Sequence, residues 1–418
     1  MDKLRLFSTQ TDYEDEVANL EYPTVSYIEG TEEVAFMPPP DYSTMYLTFE
    51  ALENGTFTLT IGKNVPTSLL EDVSYSLDKG KTWTTVQNQD NEEVVITTPI
   101  VESYNNVLWK GNGISTSIVT SSTVLADMPA SSAIFSSDGK FNIEGNIMSL
   151  LYGSNYQNQT SFEDNSTSNF ALLFSKANIV SIENLVMPVL EMKETSYLRM
   201  FQKCSELTKS CKLPATTLAD YCYQFMFGAC TSLTTAPELP ATTLAERCYK
   251  GIFYNCTGLI TAPSVLPATT LASSCYENMF QDCTSLTTAP ELPATTLADY
   301  CYGSMFYRCT SLTTAPVLPA TTLVSYCYQY MFRGCTSLTT APELPATTLA
   351  SYCYREMFSG CTKLNYIKAM FTTTPSTSYT NNWVSGVAAS GTFVKNSAAT
   401  WTTTGVNGVP SGWTVQTA

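Results

Sequence analysis

Two hydrophobic periods divide the chain. From residue 46 to about 150, apolar and polar residues alternate at period two, as in Tyr46-Leu-Thr-Phe-Glu and Phe57-Thr-Leu-Thr-Ile, with turn signals at Asn54-Gly55 and Lys79-Gly80. Alternation broken by Gly-containing turns predicts half-buried strands joined by hairpins. The number and spacing of these segments fit a β-sandwich of immunoglobulin-like size.

The second half changes period. Cys222, Cys248, Cys275, Cys301, Cys327 and Cys353 recur every 26 residues with a single interval of 27, and eight positions after each comes Cys230, Cys256, Cys283, Cys309, Cys335 and Cys361. One additional residue at Ser264-Val265 makes the long interval. Upstream the unit decays: Ser196 takes the first cysteine's place before Met200-Phe201 and Cys204, and earlier Leu173-Phe174 is followed by Ala177. Decayed end copies are what the caps of a solenoid look like.

Inside a unit, Leu218, Cys222 and Met226 follow i, i+4, i+8 spacing with Phe227 and Cys230 beside them, which predicts a helix with one inward stripe. Thr243 with Glu246, Thr217 with Asp220 and Thr296 with Asp299 sit where a capping pair would start it. Leu233, Ala236 and Leu239, with Pro237 and Pro240 among them, predict a short extended segment. The expectation is one short strand and one helix per repeat. Strands stack ~4.8 Å apart and helices ~8–10 Å apart, so such repeats should fan into a curved solenoid. The fold class expected is mixed α/β and multidomain: an N-terminal arm over 1–45, a β-sandwich over 46–150, a solenoid over 151–371 and a small β cap over 372–418.

Composition then removes options. The 418 residues contain no histidine, which withdraws the commonest general base and the commonest transition-metal ligand. The formal charge of −16 disfavours phosphate backbones and anionic lipid, so no nucleic acid is expected as partner. No apolar run reaches the ~18–20 residues that cross a bilayer, so no membrane insertion is expected. The opening MDKLRLFSTQTDYEDEVANLEYP has acids interrupting each apolar stretch and offers no secretory leader. Fourteen cysteines would then sit in a reducing cytosol as buried structural thiols. If a helix runs through Cys222 and Cys230 they stand ~12 Å apart at ~1.5 Å per residue, beyond the ~7 Å reach of a disulfide. Cys204 and Cys211, in the decayed first unit, leave pairing open. Evenly spaced thiols do not supply compact zinc pairs, so neither metal nor cofactor is expected.

Variation between units concentrates at six positions, in the first copy Asp220, Tyr221, Gln224, Phe225, Gly228 and Ala229. They lie on the expected outward helix face. Over the copies this convex stripe carries Tyr221, Phe225, Arg247, Lys250, Tyr254, Tyr300, Tyr307, Arg308, Tyr326, Tyr330, Arg333, Tyr352 and Arg355. Exposed positions drift when nothing holds them, but Tyr and Arg are also the residues that anchor interfaces, so the stripe is the candidate ligand-binding surface. A second candidate is the uniform Thr234, Thr235 and Glu238 ladder on the strand face.

Ser76-Leu-Asp78-Lys-Gly80-Lys-Thr82-Trp83 is similar to the Asp-box of sialidases, in which polar residues stabilise a hairpin beneath a tryptophan. One copy without an arginine cluster reads as a structural turn, and Glu92-Glu93 gives no means of placing two carboxylates across a sugar. No catalytic residue is assigned and the chain is expected not to be an enzyme, with a glycan-active enzyme as a remote alternative.

The MFxxCxSLTxAPELP units over roughly 170–371 resemble leucine-rich repeats of the BspA-like type, found in surface proteins of Bacteroidales and in phages of those hosts. The CYxxM portion is an addition to that family's shorter unit, and GTFVKN and PSGWTV resemble its closing module. Tyr22-Pro-Thr-Val-Ser-Tyr-Ile-Glu-Gly-Thr-Glu-Glu-Val-Ala-Phe36 reads as a hairpin before Pro38-Pro39-Pro40, and such an arm followed by sandwich and array resembles head-fibre or tail-associated proteins of crAss-like phages. The resemblance implies a homotrimeric virion surface fibre assembled in the host cytoplasm. Its arm would bind capsid or tail proteins and its solenoid a host surface protein or glycan. A bacterial cell-surface adhesin is the alternative.

Overall fold

The computed structural model describes residues 40–113, 115–120, 127–162 and 167–418, with three short strands before them: β1 (Arg5–Phe7), β2 (Val25–Ile28) and β3 (Val34–Phe36). β1 pairs parallel with β2, and β2 pairs antiparallel with β3, Val25 opposite Phe36. The rest of the expected arm as far as residue 39, with Pro38 and Pro39, lies outside the described residues.

The alternating segments form β4 (Leu47–Ala51), β5 (Phe57–Ile61), β6 (Asp72–Ser76), β7 (Thr84–Gln87), β8 (Val94–Thr97), β9 (Asn106–Asn112), β10 (Ala133–Ser137) and β11 (Phe141–Asn146). Two sheets result, one ordered β10-β5-β8 and the other β12-β11-β4-β9-β6-β7, where β12 is Ile179–Val186. Their inner rows close on Phe49, whose ring meets Phe57, Trp109, Phe135 and Phe141 at 5.4, 5.7, 4.9 and 5.1 Å. Lys79 and Gly80 both take left-handed backbone, as the β6–β7 hairpin turn requires.

β12 belongs to the chain that leads into the repeats, yet it pairs parallel with β11 and so extends the sandwich sheet. One contiguous hydrophobic core follows, running from Leu47 through every repeat to Trp413.

The repeats contain no helix. Among the described residues the sole α-helix is the single turn Ser149–Tyr152. Where a helix was expected the backbone makes two alternating sets of bonds. Cys222, Gln224, Met226, Gly228 and Cys230 donate their N–H to the carbonyl three residues back, at 3.0–3.3 Å. Tyr223, Phe225 and Phe227 donate instead to Cys248, Lys250 and Ile252 of the next repeat, each at 2.9 Å. The segment is therefore a ribbon of consecutive β-turns hydrogen-bonded to its neighbours. Tyr221, Phe225 and Ala229 are left-handed, at φ 61, 52 and 61°. A left-handed third residue every four positions is incompatible with a helix and is what a type II turn demands. The capping pairs dissolve with the helix: Asp220 accepts from the amide of Glu246 in the next repeat, at 2.8 Å. Curvature loses its stated cause as well, because the opposite side of each repeat is also bridged directly, at Thr217–Thr243, Thr235–Thr261 and Thr288–Thr314. No helix-to-strand spacing mismatch remains.

Inside, identical side chains stack. Tyr223, Tyr249, Tyr276, Tyr302, Tyr328 and Tyr354 follow one another at 5.6–6.0 Å between ring centres. Phe201 through Phe358 make a parallel ladder at 5.6–5.8 Å. All fourteen cysteines are buried and unpaired. The second thiol of each unit has a defined bond: Cys230 donates to Phe201 O at 3.1 Å, Cys256 to Phe227 O at 3.0 Å and Cys283 to Phe253 O at 3.1 Å. That carbonyl already accepts the turn N–H, so the thiol takes its second lone pair and ties repeat to repeat. Cys204 bonds Phe174 O and Cys211 lies against Met187 Sδ, so these two do not pair.

The array ends in β13 (Tyr366–Ala369), β14 (Thr392–Lys395) and β15 (Thr414–Thr417), a parallel sheet. Trp383 covers the last rings, 6.1 Å from both Tyr354 and Phe358, and its indole N–H bonds Gly408 O at 3.0 Å.

Candidate functional site

With the turn ribbon in place, the thirteen predicted residues still share one side of the array. Arg308 is exposed and the others are half-buried. They lie on turns rather than on a helix face, and they fall into two patches.

The first patch spans two repeats. Arg247 donates to Tyr221 Oη at 2.8 Å with its guanidinium 5.4 Å from that ring, Phe225 meets Tyr254 edge-on at 5.7 Å, and Lys250 pairs with Glu277 at 2.8 Å. The second patch is more continuous. Tyr300, Tyr326 and Tyr352 stack at 4.5 and 5.1 Å. Beside them Arg333 lies 5.6 Å from both Tyr307 and Tyr330, and Arg355 lies 5.4 Å from Tyr330 and 5.7 Å from Tyr352. Arg333 also pairs with Glu356 at 2.8 Å, and Arg308 stands 5.2 Å from Tyr307 and 3.8 Å from Asp282. Flat rings edged by guanidinium groups can hold a planar or ring-shaped ligand by stacking, with Arg donors at the rim. Between the patches, Ser274, Asn278 and Asp282 leave a repeat without aromatic side chains at these positions.

Sequence reasoning missed Arg199, whose guanidinium lies 5.5 Å from Phe225 in the first patch. It also missed the partners Glu277 and Glu356. Arg199 and Glu356 are themselves left-handed, at φ 53 and 50°. The available signal was Gly or Asn at four-residue intervals, as in Gly251 with Asn255.

The strand-face candidate is regular and exposed. Thr234 and Thr235 and their repeats face outward, Glu238 accepts from Ser264 Oγ at 2.9 Å, and Glu343 pairs with Lys368 at 2.9 Å. The Asp-box residues make the expected turn. Asp78 accepts from Ser76 Oγ at 2.8 Å and from Thr82 N and Oγ1 at 2.8 and 2.6 Å, while Trp83 Nε1 donates to Gly80 O at 3.1 Å. Those bonds hold the Asp78 carboxyl down at about 2. Among the described residues no three His, Cys, Asp or Glu side chains gather where they could hold a metal ion.

Residues 194–339 and 250–383 match the profile of the BspA type Leucine rich repeat region, in six copies. The repeat array is similar to leucine-rich repeats of the BspA type. A crystal structure of a leucine-rich repeat protein from Bacteroides ovatus ATCC 8483 is similar at 14% identity over 72% of this chain and 89% of that one, with a TM-score of 0.27. A likeness at that score carries no argument. A search of curated proteins gives no match. The matched residues include most of the 26-residue units, and their turn ribbon carries the variable stripe.

Proposed function

We propose that the protein is a non-catalytic adhesin in which the BspA-type array holds a host surface protein or glycan against the Tyr/Arg stripe. The observation that carries this reading concerns backbone strain. Three columns of each ribbon are left-handed, where a residue other than Gly costs ~1–2 kcal/mol. In the third column four of six occupants, Asn255, Asp282, Gly334 and Gly360, are residues that tolerate or relieve this strain, the other two being Ala229 and Arg308. The first column is occupied by Tyr221, Arg247, Ser274, Tyr300, Tyr326 and Tyr352, at φ 52–61°. Unselected drift would move such positions toward Gly or Asn; large rings retained there point to a use for the rings. Replacing Tyr300, Tyr307, Tyr326 and Tyr330 together by alanine should abolish binding to host cells while leaving the melting temperature within a few degrees. Unchanged binding overturns the proposal.

Within this reading we place the protein on a virion, fixed to capsid or tail proteins by its N-terminal arm and trimeric. The support is the resemblance of residues 22–36, and of the order arm, sandwich and array, to phage fibre proteins. Mass spectrometry across a density gradient tests it. Co-migration with phage particles supports the virion role, whereas recovery only with host membrane favours a bacterial cell-surface adhesin.

A further inference from the structure

The sandwich carries a cleft that the stripe does not involve. Its origin is the register of three strands. On the face of the sheet turned away from the core, Asp72 of β6 lies between Gln87 of β7 and Asn112 of β9, and Ser74 lies between Thr85 and Lys110. Trp83 follows at the mouth of β7, and the turn Gly153–Asn155 closes the far side. The cleft measures about 250 Å³ and is lined by Asp72, Ser74, Trp83, Thr85, Lys110 and Asn112, with glycines and Ser154 completing the wall.

Each lining group has capacity left for a ligand. The Ser74 and Thr85 hydroxyls bond each other at 2.8 Å, which commits one proton of the pair and leaves the other. Asn112 commits one amide proton to Glu71, at 3.0 Å. The Trp83 indole N–H is already bonded to Gly80 O and Tyr46 supports the ring edge-on at 5.0 Å, so what Trp83 offers the cleft is an apolar ring of fixed orientation. The Lys110 ammonium lies 4.1 Å from that ring, where the C–H face of a ring-shaped ligand would rest, and its flexible stem allows it to swing aside and donate. In a chain of net charge −16 the lining holds one acid and one base, so neither an anion nor a cation is favoured. Burial, and then the neighbouring Glu71, push the Asp72 carboxyl above its ordinary range, a charge that donated ligand hydroxyls would relieve. The volume falls below the ~300–1,000 Å³ typical of sites for drug-sized ligands, so one ring fits.

We propose that this cleft is a saccharide subsite, a second recognition site separate from the repeat array. It takes one uncharged pyranose, with the ring's apolar face on Trp83 and its hydroxyls on Ser74, Thr85, Asp72 and Asn112.

Trp83 supplies the reporter. Of the five tryptophans, Trp109, Trp383, Trp401 and Trp413 are buried, so sugar-dependent changes in emission and in acrylamide quenching read Trp83. The full chain is titrated with the methyl pyranosides of glucose, galactose and mannose and with N-acetylglucosamine. Glucuronate and glucosamine serve as charged controls, and saturation-transfer NMR runs in parallel. The expected result is saturable binding of at least one uncharged sugar, weakened at least tenfold in Trp83→Ala and in the paired Ser74→Ala, Thr85→Ala variant. The paired variant leaves the Trp83 hairpin intact and so guards against a folding artefact. Binding should be unchanged when the stripe tyrosines are replaced, which separates this site from the adhesin reading. No binding by any uncharged sugar, stronger binding of a charged control, or binding indifferent to the paired variant would each overturn the proposal.

Discussion

At the scale of single residues, what a position costs the backbone is as informative as what it touches. Tyr326 stacks at 4.5 Å on Tyr300 and 5.1 Å on Tyr352, so part of its left-handed strain is offset by its neighbours. The cysteines show the reverse economy: small, buried, and each second thiol of a unit bonded across the repeat boundary. Cys256→Ala removes a buried sulfur and its bond to Phe227 O. It should cost about 1–3 kcal/mol, the sum of a small cavity and one lost hydrogen bond, read as a lower urea midpoint. An unchanged midpoint would mean that neither the packing nor the hydrogen bond of this thiol contributes to stability. The outward position of the thirteen stripe residues was legible from where the copies differ. The left-handed backbone that eight of them adopt was not, because Tyr221 and Phe225 give no sign of it; Gly251 and Asn278, which occupy the column of Phe225 in other repeats, do.

At the scale of elements, the strands were legible and the ribbon was not, for a physical reason. Period-two alternation maps directly onto the two faces of a strand, and Phe49, Trp109 and Phe141 took the inward places that it assigns. Leu218, Cys222 and Met226 at i, i+4, i+8 are equally spaced in a helix and in a ribbon that repeats every four residues, so apolar spacing could not separate the two. The inter-repeat bonds decide between them, and those are nonlocal. The Asp-box hairpin was legible because its bonds are local, all within four residues of Asp78. It also carries a pH dependence. The Asp78 carboxyl stands at about 2 in the fold against 3.8 ordinarily. The depressed value means that its contribution is complete above about 4 and is lost as pH falls toward 2. The protection of the Thr82 amide from exchange, taken relative to its intrinsic rate at each pH, should therefore fall over that interval, and in Asp78→Ala it should be low at every pH; constant protection in the native chain would remove Asp78 as the hairpin's organiser.

At the scale of the molecule, β12 joins the sandwich sheet to the array, and the core has no break between Leu47 and Trp413. The boundaries read from composition mark changes of repeat pattern, whereas the packing runs through them. A continuous interior of protonated thiols and phenols gives the whole array a shared alkaline limit. Burial pushes the thiols of Cys204, Cys211, Cys248, Cys256 and Cys361 from 9.0 up to about 12, and Tyr223, Tyr249 and Tyr328 are also raised well above 10.0. A group whose value is raised by folding lends its full stability below the unfolded value and loses it as pH climbs toward the folded one. The share of stability held by these groups should therefore be constant below about pH 9 and fall steeply from there toward 12, many groups acting in one direction. Because neighbouring repeats share every ladder, thiolate absorbance, tyrosinate absorbance and loss of β-type circular dichroism should rise together in one transition. Below it, a thiol reagent should find almost none of the fourteen cysteines, and all fourteen once the chain is unfolded in reducing denaturant. Thiolates appearing near pH 9 while the dichroism holds would mean that the ladders are open to water, and the stacked interior would have to be abandoned.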